Sequence, residues 1–202
     1  FKLMSFVRLE SPAISIFPLH RVLRDMGGFE PSQFLQQLKA FFSIQPIPFN
    51  ESNFANSLEI LLEKLRQEQR AGRNAFGIYL PGLRHLALLT FRPNVAASFN
   101  WPSGKSKTWR KLDVSILQVV IFNELLGIGD QELAQAGYIE YVSDAKDAVN
   151  RVIRPPYQCA FLLNPTPVNQ VQRVVESGNV LPQKSTHFHP KLMEGLVLAK
   201  HL

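Results

Sequence analysis

Helical periodicity is the clearest pattern in the first half of the chain. Between residues 31 and 41 apolar side chains recur on one helical face, and Pro31 suits the first helical position. A helix from about Asn53 to Arg70 is predicted by a second apolar stripe, which consists of Phe54, Leu58, Leu61, Leu62 and Leu65. Asn53 can cap this helix, and Gly72 can end it.

Short apolar runs bounded by turn residues predict several strands. Residues 3–9 and 13–19 are predicted as two strands. The proline-rich stretch 42–49 is an edge strand or an extended connection, because proline cannot donate a hydrogen bond to a central ladder. Residues 75–91 are predicted as a β-hairpin, in which Pro81 and Gly82 form a type II turn with a positive φ at the glycine.

A mainly apolar stretch, residues 112–129, follows a polar loop. Asp113 stands at a capping position and Gly127 at the end, so the stretch is predicted as a helix. Because its apolar side chains point almost all round, the helix is expected to be buried on most sides and central to the fold.

The second half of the chain alternates between strand and helix patterns. Strands are predicted at 138–142 and 159–163, helices at 143–152 and 167–176, and a last strand at 195–199. Such alternation is typical of βαβ units. The predicted fold class is therefore α/β or α+β, with a mixed β-sheet, about five helices and a C-terminal βαβ run.

Composition is that of a folded protein. The chain has 202 residues, of which 46% are hydrophobic and 19% charged, and no apolar run approaches the roughly 20 residues that span a bilayer. The single cysteine, Cys159, falls in a predicted buried strand and has no disulfide partner, which favours a cytoplasmic location. We expect one α/β domain over 1–202, a C-terminal fragment of a longer protein, with a possible subdivision near 93–111.

The net charge of +6 is unevenly distributed. Residues 84–111 carry six basic and no acidic side chains, whereas residues 112–150 carry one basic and seven acidic ones. The basic loop 93–111 contains two tryptophans, so one alternative is a nucleic-acid-binding module. The other alternative is a solvated loop whose tryptophans fold back on the core. Gly104, Lys105 and Ser106 resemble the end of a P-loop, but its first glycine is missing.

Other chemical motifs are weak. His187 and His189 would share one face of a strand, but no cysteine or carboxylate cluster nearby completes a metal site, so no metal is predicted. Neither a nucleophile elbow nor a dinucleotide-binding glycine pattern occurs. Catalytic residues and cofactors are therefore left unassigned.

The polar stretch 181–192 is the strongest candidate site. Lys184, Ser185 and Thr186 offer an ammonium group, two hydroxyls and backbone donors, which suit an anionic or phosphorylated ligand. Near the start of the chain, Arg21 could add a two-pronged guanidinium contact and His20 a further donor. The competing interpretation is a polar turn whose groups are satisfied by the protein itself.

The segments FPLHR, LDVSIL, FLLNPTP, LPQKSTHFHPKL and GLV resemble the C-terminal half of the family known as domain of unknown function 1015. The resemblance extends over nearly the whole chain, and the LPQKST block is its most specific part. The matching polar positions are His20, Arg21, Asp113, Asn164, Thr166, Lys184, Ser185, Thr186 and Lys191. The family tends to have aromatic residues at His187 and His189 and threonine at Leu19.

Members of that family usually have an N-terminal half that contains an Asp-Gly-His-His-Arg-Tyr run. This run invites comparison with ParB-like nucleotide-binding proteins, including a free-serine kinase. It is absent from this chain. The resemblance implies a protein that binds an anionic or phosphorylated small molecule through Arg21, His20, Lys191 and the 184–186 stretch. When complete it would be a phosphotransferase, with the N-terminal half of the same protein as a partner. Whether the chain itself is an enzyme is left open. The alternatives are the nucleic-acid module and a structural support domain without its own site.

Overall fold

The computed structural model describes residues 8, 11, 14–48, 52–129 and 137–191. The strands are β1 (Ser15–Phe17), β2 (His20–Arg24), β3 (Phe42–Pro46), β4 (Ala75–Leu80), β5 (His85–Phe91), β6 (Ile139–Val142), β7 (Tyr157–Leu162) and β8 (His187–His189). The helices are α1 (Pro31–Phe41), α2 (Phe54–Arg70), α3 (Lys107–Arg110), α4 (Asp113–Ile116, continued over Leu117–Leu125), α5 (Ala145–Val152) and α6 (Val168–Glu176). Apart from Arg8, the predicted strand at 3–9 lies outside the described residues, as does the predicted strand at 195–199.

Six strands form one sheet in the order β3-β5-β4-β7-β2-β6, and β1 pairs with β8 in a separate two-stranded sheet. Every pair of hydrogen-bonded strands in the described part of the chain is antiparallel, so the fold is the α+β alternative. The predicted βαβ run is present as β6-α5-β7. Both strands pair antiparallel with β2, which lies between them, so they run parallel to each other without sharing hydrogen bonds.

Hydrophobic side chains cover both faces of the six-stranded sheet. Along β7, Cys159 and Phe161 face one core, whereas Ala160 and Leu162 face the other, as the two-residue period of a strand requires. The first core lies beneath α1, α4 and α6, and the second beneath α2 and α5. The central strands are therefore buried on both faces, which explains their continuous apolar runs.

The hairpin of β4 and β5 confirms the pairing predicted for 75–91, but its turn differs from the prediction. Pro81–Leu83 form a 3-10 turn, and the positive φ, 47°, falls on Arg84 rather than on Gly82. Four residues therefore connect the strands, and the left-handed residue after the helical turn leads the chain back into the ladder.

Helix α4 confirms the expectation of a buried central helix, but the N-cap position is held by Leu112 and Asp113 is the first helical residue, so the predicted capping role of Asp113 is wrong by one position. From Leu117 to Leu125 it is wound as a π-helix, a form that the apolar pattern cannot distinguish from an α-helix. Gly127, with φ of 65°, ends it as predicted. Val119, Val120, Ile121 and Phe122 are buried, whereas Gln118 reaches a cavity described below.

Gly77 in β4 allows α2 to pack closely on the sheet. A Cβ atom at this position would lie 2.9 Å from the Leu61 Cδ2 atom and 3.0 Å from the Leu162 Cβ atom. Both neighbours are fully buried, so they have little room to move.

We expect Gly77→Ala to lower the free energy of unfolding by about 1–3 kcal/mol, because the added methyl group overfills a packed interface. Chemical denaturation monitored by circular dichroism measures this change. Gly27→Ala is the matched control, since a Cβ atom there would have no neighbour within 4 Å and should change stability little. Equal stabilities of the two variants would contradict the close approach of α2.

No helix within the described ranges has both the length and the apolar character needed to cross a membrane. Cys159 is fully buried, and burial raises the pKa of its thiol well above the ordinary value, so it is a packing residue. The described residues contain no group of three or more histidine, cysteine, aspartate or glutamate side chains placed to hold a metal ion.

Candidate functional site

Arg21 is a buried cation in the middle of the sheet. Strand β2 places it between Tyr141 of β6 and Phe161 of β7, and its side chain shares the face of the first core. Only 4% of Arg21 is exposed. Burial lowers the pKa of Arg21 to about 10, so the guanidinium is still positively charged at neutral pH.

The partners of Arg21 compensate for burial only in part. One terminal nitrogen donates to the Leu19 carbonyl and the other to the Lys184 carbonyl at 2.9 Å. The guanidinium carbon lies 5.2 Å from the centre of the Tyr141 ring, a cation–π arrangement. Among the described residues, no carboxylate forms a hydrogen bond or an ion pair with Arg21. A guanidinium has five N–H donors, so this buried charge retains donors for a further acceptor.

A cavity of about 230 Å³ lies beside Arg21. Its lining combines Arg21 and Tyr141 from the sheet, four side chains from α4, three from the basic loop, and the segment 180–183. Lys105 supplies a second positive charge, with its ammonium nitrogen 5.2 Å from the centre of the Trp109 ring. The lining contains two cations, Arg21 and Lys105, and two amide side chains, those of Gln118 and Gln183. It contains no acidic side chain. We refer to this cavity as the Arg21 pocket.

Hydrogen bonds join the two segments that cover the Arg21 pocket, residues 104–109 of the basic loop and residues 179–183. Asn179 accepts from the Ser106 backbone N–H at 2.7 Å and donates to the Gly104 carbonyl at 3.1 Å. The Trp109 indole donates to the Val180 carbonyl at 3.1 Å. Lys105 is therefore held over the pocket by contacts on either side of it along the loop.

The 184–186 stretch contacts this site mainly through its backbone. The Lys184 carbonyl accepts from Arg21, and the Ser185 carbonyl accepts from the Thr166 hydroxyl at 2.9 Å. The Ser185 hydroxyl donates to the Pro182 carbonyl. The Lys184 side chain is exposed and Thr186 is half-buried, and neither lines the Arg21 pocket. The stretch thus supports Arg21, while Pro182 and Gln183 just before it line the pocket.

His20 points away from Arg21, toward the second core, because successive side chains of a strand face opposite ways. Its Nδ1 atom accepts from the Leu163 backbone N–H at 3.1 Å. Burial, together with the nearby Arg21 charge, lowers the pKa of His20 to about 4, so the ring is neutral at pH 7. His20 does not line the Arg21 pocket.

The remaining residues singled out from the sequence are dispersed. Lys191 is exposed beyond β8. His187 and His189 lie on one side of the two-stranded sheet, with ring centres 6.3 and 5.3 Å from that of Phe17. Asn164 donates to the Leu65 carbonyl at 2.7 Å, which links the end of β7 to α2. None of them lines the Arg21 pocket.

Sequence reasoning missed Lys105 and Tyr141 as members of the site. The sequence suggested Lys105 only as part of a P-loop or of a nucleic-acid-binding loop. Its position between Gly104 and the capping residue Ser106 was the signal that could have indicated a ligand-facing lysine. Tyr141 carries no sequence signal, because only the β2–β6 register places its ring beside Arg21.

The tryptophans of the basic loop fold back on the core. Trp109 is 3% exposed, and the Trp101 indole donates to the Ala96 carbonyl at 2.7 Å. The two rings meet edge to face with their centres 6.5 Å apart. Trp109 is therefore part of the folded core and is not exposed on the surface of the loop.

Comparison with known proteins identifies a family that the chain matches. The profile of a family described as a protein of unknown function, DUF1015, matches residues 1–115, which include Arg21 and the β4–β5 hairpin. The LPQKST block, by contrast, lies outside the matched residues. No curated protein matches the chain.

Two solved structures match the chain at low identity. A mutant free serine kinase in complex with AMP has a TM-score of 0.47 and 13% identity, and the match covers 90% of this chain and 57% of that one. A conserved hypothetical protein from Pyrococcus furiosus has a TM-score of 0.46 and 14% identity, with 90% and 59% covered. This chain thus spans less than two thirds of the length of either. From the family match over more than half of its residues, the chain belongs to the DUF1015 family.

Proposed function

We propose that this chain binds a small anionic molecule, such as a phosphate monoester, in the Arg21 pocket. The observation that carries the proposal is a buried guanidinium that lines a cavity and, among the described residues, has no carboxylate partner. Burying such a charge costs several kcal/mol unless an opposite charge compensates it. A bound anion would supply that charge.

The size and lining of the pocket favour a small ligand. Its volume of about 230 Å³ is below the roughly 300–1,000 Å³ of pockets for drug-sized molecules. Arg21 can contact two oxygens of a phosphate or carboxylate at once, and Lys105 can add a second positive charge as a point charge. Trp109 and Tyr141 would border the less polar part of the ligand.

A role of the complete protein in phosphoryl transfer is a further part of this proposal. Such a reaction requires positive charge around the phosphoryl group, which Arg21 and Lys105 would supply. It also requires a group that orients the nucleophile, and often a metal ligand. The lining of the Arg21 pocket holds no carboxylate for these tasks, so they would fall to other parts of the protein.

We expect Arg21→Met to weaken binding of phosphoserine or inorganic phosphate about 30-fold or more, which corresponds to roughly 2 kcal/mol or more. Methionine keeps most of the buried carbon volume and removes the charge. Isothermal titration calorimetry measures the affinities. Serine, which lacks the phosphate group, and ATP, which is a much larger phosphate compound, serve as comparison ligands.

Two further variants guard against a folding defect. Lys105 is half-buried in a loop, so Lys105→Gln should weaken binding of the same ligands without loss of secondary structure. Lys146→Gln makes the same charge change on exposed α5 and should leave binding unchanged. Unaltered affinity in both pocket variants would leave the chain as a supporting domain.

A further inference from the structure

A second and larger cavity lies on the other side of the basic loop. It encloses about 560 Å³ and shares no lining residue with the Arg21 pocket. Its walls come from the end of α2, the segment 91–97, α3 and the start of α4, with Trp101 on one side. We refer to it as the Asp113 cleft.

The polar groups of the Asp113 cleft are of two kinds. Asp113 accepts a hydrogen bond of 2.6 Å from the Asn74 amide, which also donates to the Lys111 carbonyl at 2.9 Å. This leaves the second carboxylate oxygen of Asp113 with no hydrogen bond to a described residue. Four cations belong to the same lining and are exposed. Arg73 is paired with Glu68, whereas Lys107, Arg110 and Lys111 form no ion pair with an acidic side chain of a described residue.

We propose that the Asp113 cleft is a second ligand site for a small organic anion that also carries a hydrogen-bond-donating group, either a hydroxyl or an ammonium. The donating group would bind the Asp113 carboxylate, and the anionic group would lie near Lys107, Arg110 and Lys111. A carboxylate alone repels anions, and cations alone would bind simple phosphate. The combination therefore favours a molecule that has an anionic group at one end and a hydrogen-bond donor at the other.

The state of Asp113 supports this assignment. Burial raises the pKa of Asp113 to about 6, an effect that the hydrogen bond from Asn74 only partly offsets. The folded chain therefore holds this carboxylate at a cost in stability, as is common for groups kept for binding. Asparagine at this position should fold well, because it keeps the shape and can still accept from Asn74.

Titration calorimetry of the 202-residue chain with three compounds tests the proposal. Glycerol 3-phosphate carries hydroxyl donors, phosphoethanolamine carries an ammonium donor, and inorganic phosphate has neither organic group. We expect at least one of the first two to bind tenfold or more tightly than inorganic phosphate, and the better of them identifies the donor.

Variants assign the preference to the cleft. Asp113→Asn should abolish the preference over inorganic phosphate, whereas Arg21→Met, in the other pocket, should preserve it. Lys111→Gln combined with Arg110→Gln should weaken the organic phosphates tenfold or more. Absence of any preference in Arg21→Met, or its survival when Asp113→Asn is added to Arg21→Met, would overturn the proposal. Because the Arg21 pocket has lost its charge in that background, these outcomes are distinct from failure of the proposed anion site.

Discussion

Phe161→Ala should lower the free energy of unfolding by about 3–5 kcal/mol, the range typical of a large aromatic removed from a packed core. Phe161 lies on β7 in the middle of the six-stranded sheet and is fully buried. Its ring meets that of Phe34 from α1 at 6.3 Å and that of Phe122 from α4 at 6.0 Å, both edge to face. Removing it would leave a cavity where the sheet and two helices meet.

Chemical denaturation at neutral pH measures this loss, and the transition midpoint should fall with it. Phe188→Ala is the matched control, because Phe188 lies in the two-stranded sheet and 38% of it is exposed. We expect that variant to lose much less stability. A loss below about 1 kcal/mol for Phe161→Ala would mean that α1 and α4 do not pack on the sheet as described.

Acid should destabilise the chain through His20 by about 3 kcal/mol between pH 6.5 and pH 4. The pKa of His20 is about 4 in the folded chain, whereas a solvent-exposed histidine has a pKa of 6.5, and each pKa unit corresponds to about 1.36 kcal/mol. Because the folded pKa is the lower one, the unfolded chain binds the proton first. The contribution is therefore complete above pH 6.5 and is lost as the pH falls toward 4.

Asp113 acts in the opposite direction over nearly the same interval. Its pKa is raised from 3.8 to about 6, so the stability associated with its protonated form is lost as the pH rises between these values. The two effects partly cancel in the unmodified chain. The measurement therefore compares Asp113→Asn with the double variant Asp113→Asn and His20→Asn, by denaturation at several pH values.

We expect the single variant to lose about 3 kcal/mol more stability than the double variant between pH 7 and pH 4. Asparagine at position 20 can still accept the Leu163 N–H but cannot be protonated in this range. Any packing cost of the substitution is the same at each pH and drops out of the comparison. Parallel pH profiles for the two variants would show that His20 is not buried in its neutral form.

Much of the fold could be predicted from local patterns. The spacing of Leu58, Leu61 and Leu65 specified α2, and all three are buried against the sheet. The proline-rich stretch 42–49 was expected at an edge, and β3 is an edge strand. These features depend on neighbouring residues and on backbone chemistry, so the sequence is sufficient for them. Strand order is different, because the β2–β7 pairing joins residues far apart along the chain.

The candidate site was only partly predictable. Arg21 could be named as a candidate anion-binding residue from its chemistry alone. Its neighbour His20 could not be distinguished from it, yet the strand alternation turns one side chain toward the Arg21 pocket and the other toward the second core. Lys184 and Ser185 were expected to contribute side chains, whereas the contacts observed with Arg21 and Thr166 use their carbonyls.

The sequence by itself determined most of the helices and strands, and that a basic loop precedes a buried helix, but it did not indicate β2, α3 or β8. Only the tertiary structure decided that Arg21 lies beside Tyr141, that Lys105 covers the same cavity, and that Asp113 faces a separate cleft. The physical reason is range. Periodicity and capping act over a few residues, whereas a pocket is formed by side chains that meet through strand register and helix packing across the whole chain.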